Sequence, residues 1–322
     1  MQTPALAPVA LTGFAADVRA GLAKSGQKEL PSKYLYDALG SALFEVISLL
    51  PEYGLTRADE RLLRTHAEEI AEQFTAPTIV AELGSGDGSK TRWILEALCR
   101  RRPSSYYPID VSAAALTACR CELSNIAPLT TLGIEAEFLD GLRQVTKIRG
   151  SGQRLLVLFL GSTIGNLGDA DAANFLKQVR SILKHGDVMV LGTDLVKPLS
   201  QLLPAYDDPL GVTAAFNLNL LTRINRELDA DFDLRHFEHV AKFNDTAGRI
   251  EMHLRSTCRQ TAGIPKAGLS VQFLAGETIW TESSRKYHPS EVFKMAEEAG
   301  FQCGAQWIDQ GWAFAENLLL VR

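Results

Sequence analysis

The sequence predicts an α/β protein built on a doubly wound, mostly parallel sheet, with a second α+β domain. Three observations lead to this fold class. Short β-rich runs alternate with helical patterns through the middle of the chain, residues 155–160 (LLVLFL) are uniformly apolar, and the rhythm breaks after Lys197. Alternating strands and helices form parallel sheets, and a strand that is apolar on both faces must be covered on both. We expect two domains, residues 60–196 with 286–322 and residues 1–59 with 197–285.

The elements of the sheet domain follow from the pattern in chain order. Ser112 has the residue type of a helix N-cap, and the helix after it carries Leu116 and Leu123 on an apolar stripe. Residues 155–160 are expected at the centre of the sheet. The predicted strands are 78–83, 105–109, one ending at Leu139, 155–160 and 187–194, with helices at 89–100 and 169–185.

The remaining segments differ in character. Residues 217–228 have a helical pattern, and the alternating segments 249–254 and 269–273 indicate antiparallel strands. A last helix at 289–299 and a strand pair at 301–308 and 313–321 are expected to return to the sheet. The first several residues, with Pro4 and Pro8, are expected to be disordered.

Composition favours a small-molecule enzyme over other classes. The 33 basic and 38 acidic side chains give a formal charge of -5, which provides no electrostatic footprint for nucleic acid or anionic membrane. No run approaches the roughly 20 apolar residues that span a bilayer, so we expect a cytoplasmic protein and, by default, a monomer. The five cysteines lack metal-ligand spacing, so we predict reduced thiols and no metal.

A glycine-rich turn follows the first strand, where an open sheet binds its ligand. Residues 82–90 (ELGSGDGSK) place Gly84 and Gly86 there, without the G-x-G-x-x-G spacing of dinucleotide sites. Glu82 ends the strand, and an acid there repels a pyrophosphate but attracts a sulfonium or amino group. Asp110 ends the second strand, where an acid binds ribose hydroxyls, and Asp140 is expected to face an adenine amino group. This order of features favours S-adenosylmethionine as cofactor and S-adenosylhomocysteine as product.

An acceptor segment follows the central strand on the same sheet edge. Residues 161–166 (GSTIGN) offer small residues and the amide of Asn166 where an acceptor should meet the methyl group. The alternative interpretation is that Asn166 only caps the following helix.

Longer motifs resemble those of the histidine N-α-methyltransferases of ergothioneine biosynthesis. The resemblance runs from about Pro31 to the end of the chain. The motifs that carry it are YDALGS (36–41), LPEY (50–53), TR (56–57), ELGSG (82–86), FLGSTIGN (159–166), LGTDLVK (191–197), AYDDP (205–209), INREL (224–228) and IEM (250–252).

The resemblance implies a Rossmann-like class I methyltransferase that trimethylates the α-amino group of L-histidine to hercynine, with a substrate domain formed by the N-terminal segment and the insertion. It implies that Tyr53, Asn166 and Tyr206 hold the carboxylate and amino end of the acceptor, with Tyr36 and Gly161 near the amine. The implied imidazole contacts are Glu282, Ser284 and Met252, and the implied cofactor contacts are Gly84, Gly86, Lys90, Asp110 and Asp140.

Two departures from the family pattern border the site. Gly54 and Leu55 follow Tyr53 where relatives often have tyrosine and proline, and the cofactor loop has one glycine more than in some relatives. Two alternatives therefore stay open: an N-methyltransferase of tryptophan or of another aromatic or modified amino acid, and a catalytically inactive S-adenosylmethionine-binding sensor. A carboxylate at Glu282 favours histidine, because it can accept an imidazole N–H.

Overall fold

The computed structural model describes residues 13–322, which divide into two compact units. The sheet unit comprises residues 44–206, 243–250 and 283–322, and the insertion unit comprises residues 207–242, 251–282 and the described part of 1–43. Residues 44–59 and 197–206 thus belong to the same compact unit as the large sheet. The domain boundaries expected from the sequence remain a prediction. The disorder expected around Pro4 and Pro8 concerns residues outside those described.

Residues 13–322 form the helices and strands whose bounds follow, numbered in chain order. The helices are α1 (Gly13–Leu22), α2 (Ala38–Leu49), α3 (Leu55–Ala71), α4 (Arg92–Arg101), α5 (Ala113–Glu122), α6 (Phe138–Ile148), α7 (Asp169–Ile182), α8 (Leu199–Tyr206), α9 (Val212–Leu228) and α10 (Pro289–Glu298). The strands are β1 (Lys28–Glu29), β2 (Thr78–Leu83), β3 (Ser104–Asp110), β4 (Leu129–Thr131), β5 (Ile134–Glu135), β6 (Arg154–Phe159), β7 (Val188–Asp194), β8 (Phe237–Asn244), β9 (Arg249–Ser256), β10 (Gln260–Ile264), β11 (Leu269–Phe273), β12 (Thr278–Arg285), β13 (Gln302–Asp309) and β14 (Phe314–Leu320).

The sheet unit contains the predicted doubly wound sheet, which confirms the fold class. Its strand order is β13-β14-β7-β6-β2-β3-β4, with β5 also pairing with β3. The strands from β7 to β4 run parallel, and β14 is antiparallel to both of its neighbours. Strand β6 is the middle strand: Leu155, Val157 and Phe159 enter the hydrophobic core on one face, and Leu156 and Leu158 enter the core on the other. This explains its uniformly apolar sequence.

Several predicted boundaries need correction. The strand expected to end at Leu139 is wrong, because helix α6 begins at Phe138 and buries Gly141, Leu142 and Val145 on one face. This spacing is helical, and the preceding strands β4 and β5 are short. The helix expected from residue 89 begins only at Arg92, because the glycine turn continues to that point. The helix expected to reach residue 185 ends at Ile182.

Other predicted elements are confirmed. The Ser112 side chain accepts a hydrogen bond from the backbone N–H of Ala115 at 3.3 Å, as an N-cap does. Of the expected apolar stripe on α5, Leu123 just past the helix end is buried and Leu116 is half-buried. The final helix and the antiparallel pair β13–β14 are also present.

The insertion unit is organised around helix α9 and two small sheets, one with the order β1-β12-β9-β8 and one formed by β10 and β11. The predicted strands 249–254 and 269–273 are confirmed, and α9 begins at Val212, earlier than expected, after Gly211 in the left-handed conformation. The Asp37 carboxylate accepts hydrogen bonds from Arg226 at 2.6 Å and Asn219 at 2.8 Å, so it fixes the N-terminal segment to α9.

Candidate functional site

The glycine turn between β2 and α4 has the backbone conformation that requires glycine. Gly84, Gly86 and Gly88 have φ values of 74°, 53° and 73°, which L side chains rarely adopt. A Cβ built on Gly86 meets nothing within 4 Å, whereas one on Gly88 lies 2.6 Å from the Cys119 sulfur. The turn therefore offers open backbone at Gly86 and close internal packing at Gly88.

Asp110 lies beside this turn, as the strand order predicted. Its carboxylate accepts hydrogen bonds from the backbone N–H groups of Gly86 at 3.2 Å and Ser112 at 2.9 Å. Burial raises the pKa of Asp110 above its usual value, although these backbone bonds act in the opposite direction. A carboxylate has about four acceptor positions, so Asp110 retains capacity for ligand hydroxyls.

Glu82 has a structural role instead of the expected ligand contact. Its side chain is buried and accepts hydrogen bonds from Thr91 Oγ1 at 2.8 and 2.7 Å and from the Tyr106 hydroxyl. Burial raises the pKa of Glu82 to about 7, against the lowering effect of Tyr106 and Thr91. These bonds tie β2 to β3 and to the start of α4, which argues against a role in attracting the sulfonium.

Asp140 does not follow a strand. It lies in the first turn of α6, its side chain is 71% exposed, and it pairs with Arg143 at 2.9 Å. Strand β5 ends at Glu135, Glu137 is the N-cap of α6, and the ring of Phe138 lies 3.3 Å from the Cβ position of Gly84. The residue of this segment that the structure places beside the glycine turn is therefore Phe138. The sequence did not predict this neighbour, because the expected strand extended to Leu139.

Lys90 is bound to a buried carboxylate that the sequence analysis did not select. Asp59 on α3 is fully buried and pairs with Lys90, and its Oδ2 accepts the backbone N–H of Gly161 at 3.1 Å. Burial lowers the pKa of Lys90, but the Asp59 carboxylate more than offsets this, and the net pKa is raised. Lys90 thus connects the cofactor turn to the acceptor segment through Asp59.

A signal for Asp59 exists in the sequence. It lies among the buried positions Leu55, Ala58, Leu62 and Leu63 on the apolar stripe of α3. An acid on such a stripe needs a buried partner.

The acceptor segment is a strained turn after β6. Gly161 and the non-glycine Ser162 have φ values of 67° and 61°, and the Ser162 hydroxyl accepts the backbone N–H of Asp194 at 2.8 Å. Asn166 ends the short 3-10 helix Thr163–Asn166, and α7 has Gly168 as its N-cap. The alternative that Asn166 caps the following helix is therefore wrong.

Residue 165 is a glycine because of backbone packing, and not because the acceptor needs space there. A Cβ built there would lie 3.0 Å from the carbonyl oxygen and 3.2 Å from the backbone nitrogen of Arg285. Close backbone packing thus accounts for this glycine, and only Gly161 remains a candidate for making room near the amine.

Tyr206 and Ser284, which lie far apart in the sequence, meet in the sheet unit. Their hydroxyl oxygens lie 2.8 Å apart, and Lys286 donates to Tyr206 at 2.7 Å and to Ser284 at 2.8 Å. The ring of Tyr53 contacts that of Tyr206 edge-on, with centroids 6.2 Å apart. Three predicted acceptor residues thus form one cluster, whose lysine the sequence analysis did not select.

Three further predicted acceptor residues, Tyr36, Met252 and Glu282, belong to the insertion unit. Tyr36 packs edge-on against Phe216 with ring centroids 5.5 Å apart, and the carbonyl of buried Met252 accepts a hydrogen bond from Thr281 at 3.0 Å. Glu282 is half-buried on β12, and its backbone carbonyl accepts the Trp280 indole N–H at 2.8 Å.

Two other kinds of feature are absent from residues 13–322. No group of three or more His, Cys, Asp or Glu side chains in this range has the arrangement of a metal site. No helix in the same range has the length and apolar character needed to cross a membrane.

Comparison with known proteins identifies relatives over nearly the whole chain. The family model described as a histidine-specific, S-adenosylmethionine-dependent methyltransferase matches residues 14–321. A histidine N-α-methyltransferase of Mycolicibacterium smegmatis is 45% identical over 94% of this chain and 93% of its own. Ergothioneine biosynthesis protein 1 of Neurospora crassa is 28% identical over 88% of this chain and 32% of its own. An L-tryptophan methyltransferase of Psilocybe serbica is 27% identical over 88% of this chain and 86% of its own.

Proposed function

Because the chain belongs to the family of S-adenosylmethionine-dependent, histidine-specific methyltransferases, we propose that it methylates the α-amino nitrogen of L-histidine. Three successive methyl transfers would give hercynine, and this trimethylation is the first step of ergothioneine biosynthesis. The observation that carries the proposal is the family match over residues 14–321. The motifs of the glycine turn and the acceptor segment agree with it.

The residues of the turn fit the cofactor. Open backbone at Gly86, in a turn that begins at Gly84 and has Asp110 beside it, suits a nucleoside with ribose hydroxyls. Lys90 is proposed to order the site through Asp59, and the adenine contact is assigned to Glu137 or Asp140. When bound, S-adenosylmethionine supplies a methyl carbon activated by a positive sulfonium.

The acceptor is proposed to be held by two groups of residues. Tyr53, Asn166 and Tyr206 bind its carboxylate and amino end, with Tyr36 and Gly161 near the amine. Glu282 accepts one imidazole N–H, Ser284 meets the other ring nitrogen, and Met252 flanks the ring. The cluster of Tyr53, Tyr206 and Ser284 in the sheet unit supports this assignment.

The chain's own contribution to catalysis is mainly orientation and exclusion of water. The nitrogen needs its lone pair for each of the three transfers, so a proton has to leave the ammonium form before each one. Tyr36 or Asn166, directly or through a water, is proposed to order the amine and pass this proton outward. No covalent intermediate and no metal are needed.

Histidine is preferred over tryptophan as the acceptor. The relative acting on histidine is much more similar to this chain than the one acting on tryptophan. Indole is larger than imidazole and has a single N–H, so a site with two ring partners rejects it. An inactive S-adenosylmethionine-binding sensor is the remaining alternative, and turnover would exclude it.

The test is a mass-spectrometric assay of purified protein with S-adenosylmethionine and each of the twenty amino acids. We expect a product from histidine that is heavier by three methyl groups. Glu282→Ala should remove histidine turnover while S-adenosylhomocysteine binding persists, and Lys294→Met, at a lysine 77% exposed, serves as the control. Unchanged histidine turnover in Glu282→Ala would refute the imidazole assignment. A cytoplasmic, monomeric enzyme is proposed, and gel filtration tests the monomer.

A further inference from the structure

A buried cluster of charges lies behind the Tyr206 and Ser284 hydroxyls. Lys286 donates to both hydroxyls and pairs with Asp194 Oδ2 at 2.8 Å. Asp194 also pairs with Lys197 and accepts the Trp312 indole N–H at 3.1 Å. The Lys286 ammonium therefore donates to two hydroxyls and forms an ion pair with Asp194, and these three contacts fix its position.

The cluster contains more positive than negative charge. Two lysines share one aspartate, and the side chains of Lys286, Lys197 and Asp194 are at most 1% exposed. Burial lowers the pKa of Lys197 to about 8; Asp194 opposes this and the neighbouring Lys286 reinforces it. A buried charge without a counter-charge is costly, so the cluster as a whole favours an additional anion.

The Tyr206 and Ser284 hydroxyls link this positive charge to the proposed acceptor site. Because the two oxygens share a hydrogen bond at 2.8 Å, at most one O–H of the pair can donate to a ligand. Since Lys286 donates to Tyr206 and Ser284, each oxygen acts as an acceptor on the lysine side. A hydroxyl that accepts from a cation becomes a stronger donor, because hydrogen bonds in a chain polarise one another. Of the groups that Tyr206 and Ser284 are proposed to bind, the carboxylate is the anion.

We infer that Lys286 determines the requirement for an α-carboxylate on the acceptor, by positioning the Tyr206 hydroxyl that binds the carboxylate and by supplying the charge that the carboxylate balances. Lys286 is a positioning residue, and its role rests on the proposed function. The same positive charge disfavours the ammonium form of a bound amino acid. It therefore also favours the neutral amine that methyl transfer needs.

The test compares acceptors with and without the carboxylate by calorimetry, in the presence of S-adenosylhomocysteine. The probes are histidine and histamine, with tryptophan and tryptamine as a second pair, and the variants are Lys286→Met, Lys286→Arg and the exposed control Lys294→Met. We expect Lys286→Met to bind histidine roughly 30-fold or more weakly, since truncating one partner of a buried charge pair has an effect of this order. Histamine keeps the imidazole that Ser284 is proposed to meet but lacks the carboxylate, so its binding should weaken about tenfold less than that of histidine, and Lys286→Arg should recover part of the preference for histidine.

The outcomes separate a positioning role from a purely structural one. If Lys286→Met weakens histidine and histamine binding equally, or leaves the ratio of their affinities as in the wild type, the inference is overturned. S-adenosylhomocysteine binding reports folding, and Lys286→Gln replaces Lys286→Met if the latter does not fold. If the wild type prefers tryptophan to tryptamine but does not bind histidine, the proposed acceptor fails while the role of Lys286 stands.

Discussion

The ion pair between Asp59 and Lys90 permits a quantitative prediction for one buried carboxylate. Asp59→Asn keeps the size of the side chain and removes its charge, which leaves the Lys90 ammonium without its paired anion. Breaking a buried ion pair costs about 3–5 kcal/mol. The Lys90 side chain is 24% exposed and the Glu82 carboxylate also acts on it, so we expect a loss near the lower end, about 3 kcal/mol.

The assay is urea unfolding at pH 7.5, followed by far-ultraviolet circular dichroism. The matched control is Glu68→Gln, which breaks the pair of Glu68 and Arg100, whose side chains are 52% and 58% exposed. Such exposed pairs contribute about 0–1 kcal/mol. The interpretation of Asp59 as a buried anchor is refuted if Asp59→Asn and Glu68→Gln lower the free energy of unfolding by the same small amount.

Three further predictions concern pH, packing and metals. Because burial raises the pKa of Glu82 to about 7, the stability that this group contributes is full below about pH 4.5 and is lost as pH rises through about 7. Between pH 5.5 and 8 the free energy of unfolding should therefore fall by about 2 kcal/mol on account of Glu82. Glu82→Gln should remove this pH dependence in urea unfolding, and a variant with the same pH dependence as the wild type would contradict the prediction. Gly165→Ala should lower the free energy of unfolding by about 1–3 kcal/mol, because the added Cβ would crowd the Arg285 backbone. Gly26→Ala, with open space at its Cβ, should lower it by less than about 1 kcal/mol in the same assay. Methyl transfer should persist after dialysis against EDTA, and loss that zinc or magnesium restores would disprove metal independence.

The sequence predicted those parts of the site that depend on strand order alone. Gly84, Gly86 and Asp110 lie together because carboxyl ends of neighbouring parallel strands share one edge of a sheet. The segment at Gly161 lies on the same edge for the same reason, since β6 pairs with β2.

The parts that escaped prediction depend on side-chain partners far apart in the chain. The motif predicts that Lys90 and Glu82 contact the ligand. In the structure Lys90 instead pairs with Asp59, and Glu82 accepts a hydrogen bond from Tyr106. No periodic pattern in the sequence predicts that Lys286 is buried against Tyr206, Ser284 and Asp194. The error at Leu139 has another cause: short apolar runs fit a strand and the first turn of a helix equally well, and only the buried face of α6 distinguishes them.

The position of β14 within the sheet bears on the order of events during synthesis. This strand, residues 314–320, lies between β13 and β7 and brings the fully buried Glu316 into the unit. Until the ribosome has released these residues, β7 has no partner on that side and its backbone groups are open to other chains. We therefore expect nascent chains of this protein to depend on chaperones until a late stage, and variants that stop before residue 314 to aggregate.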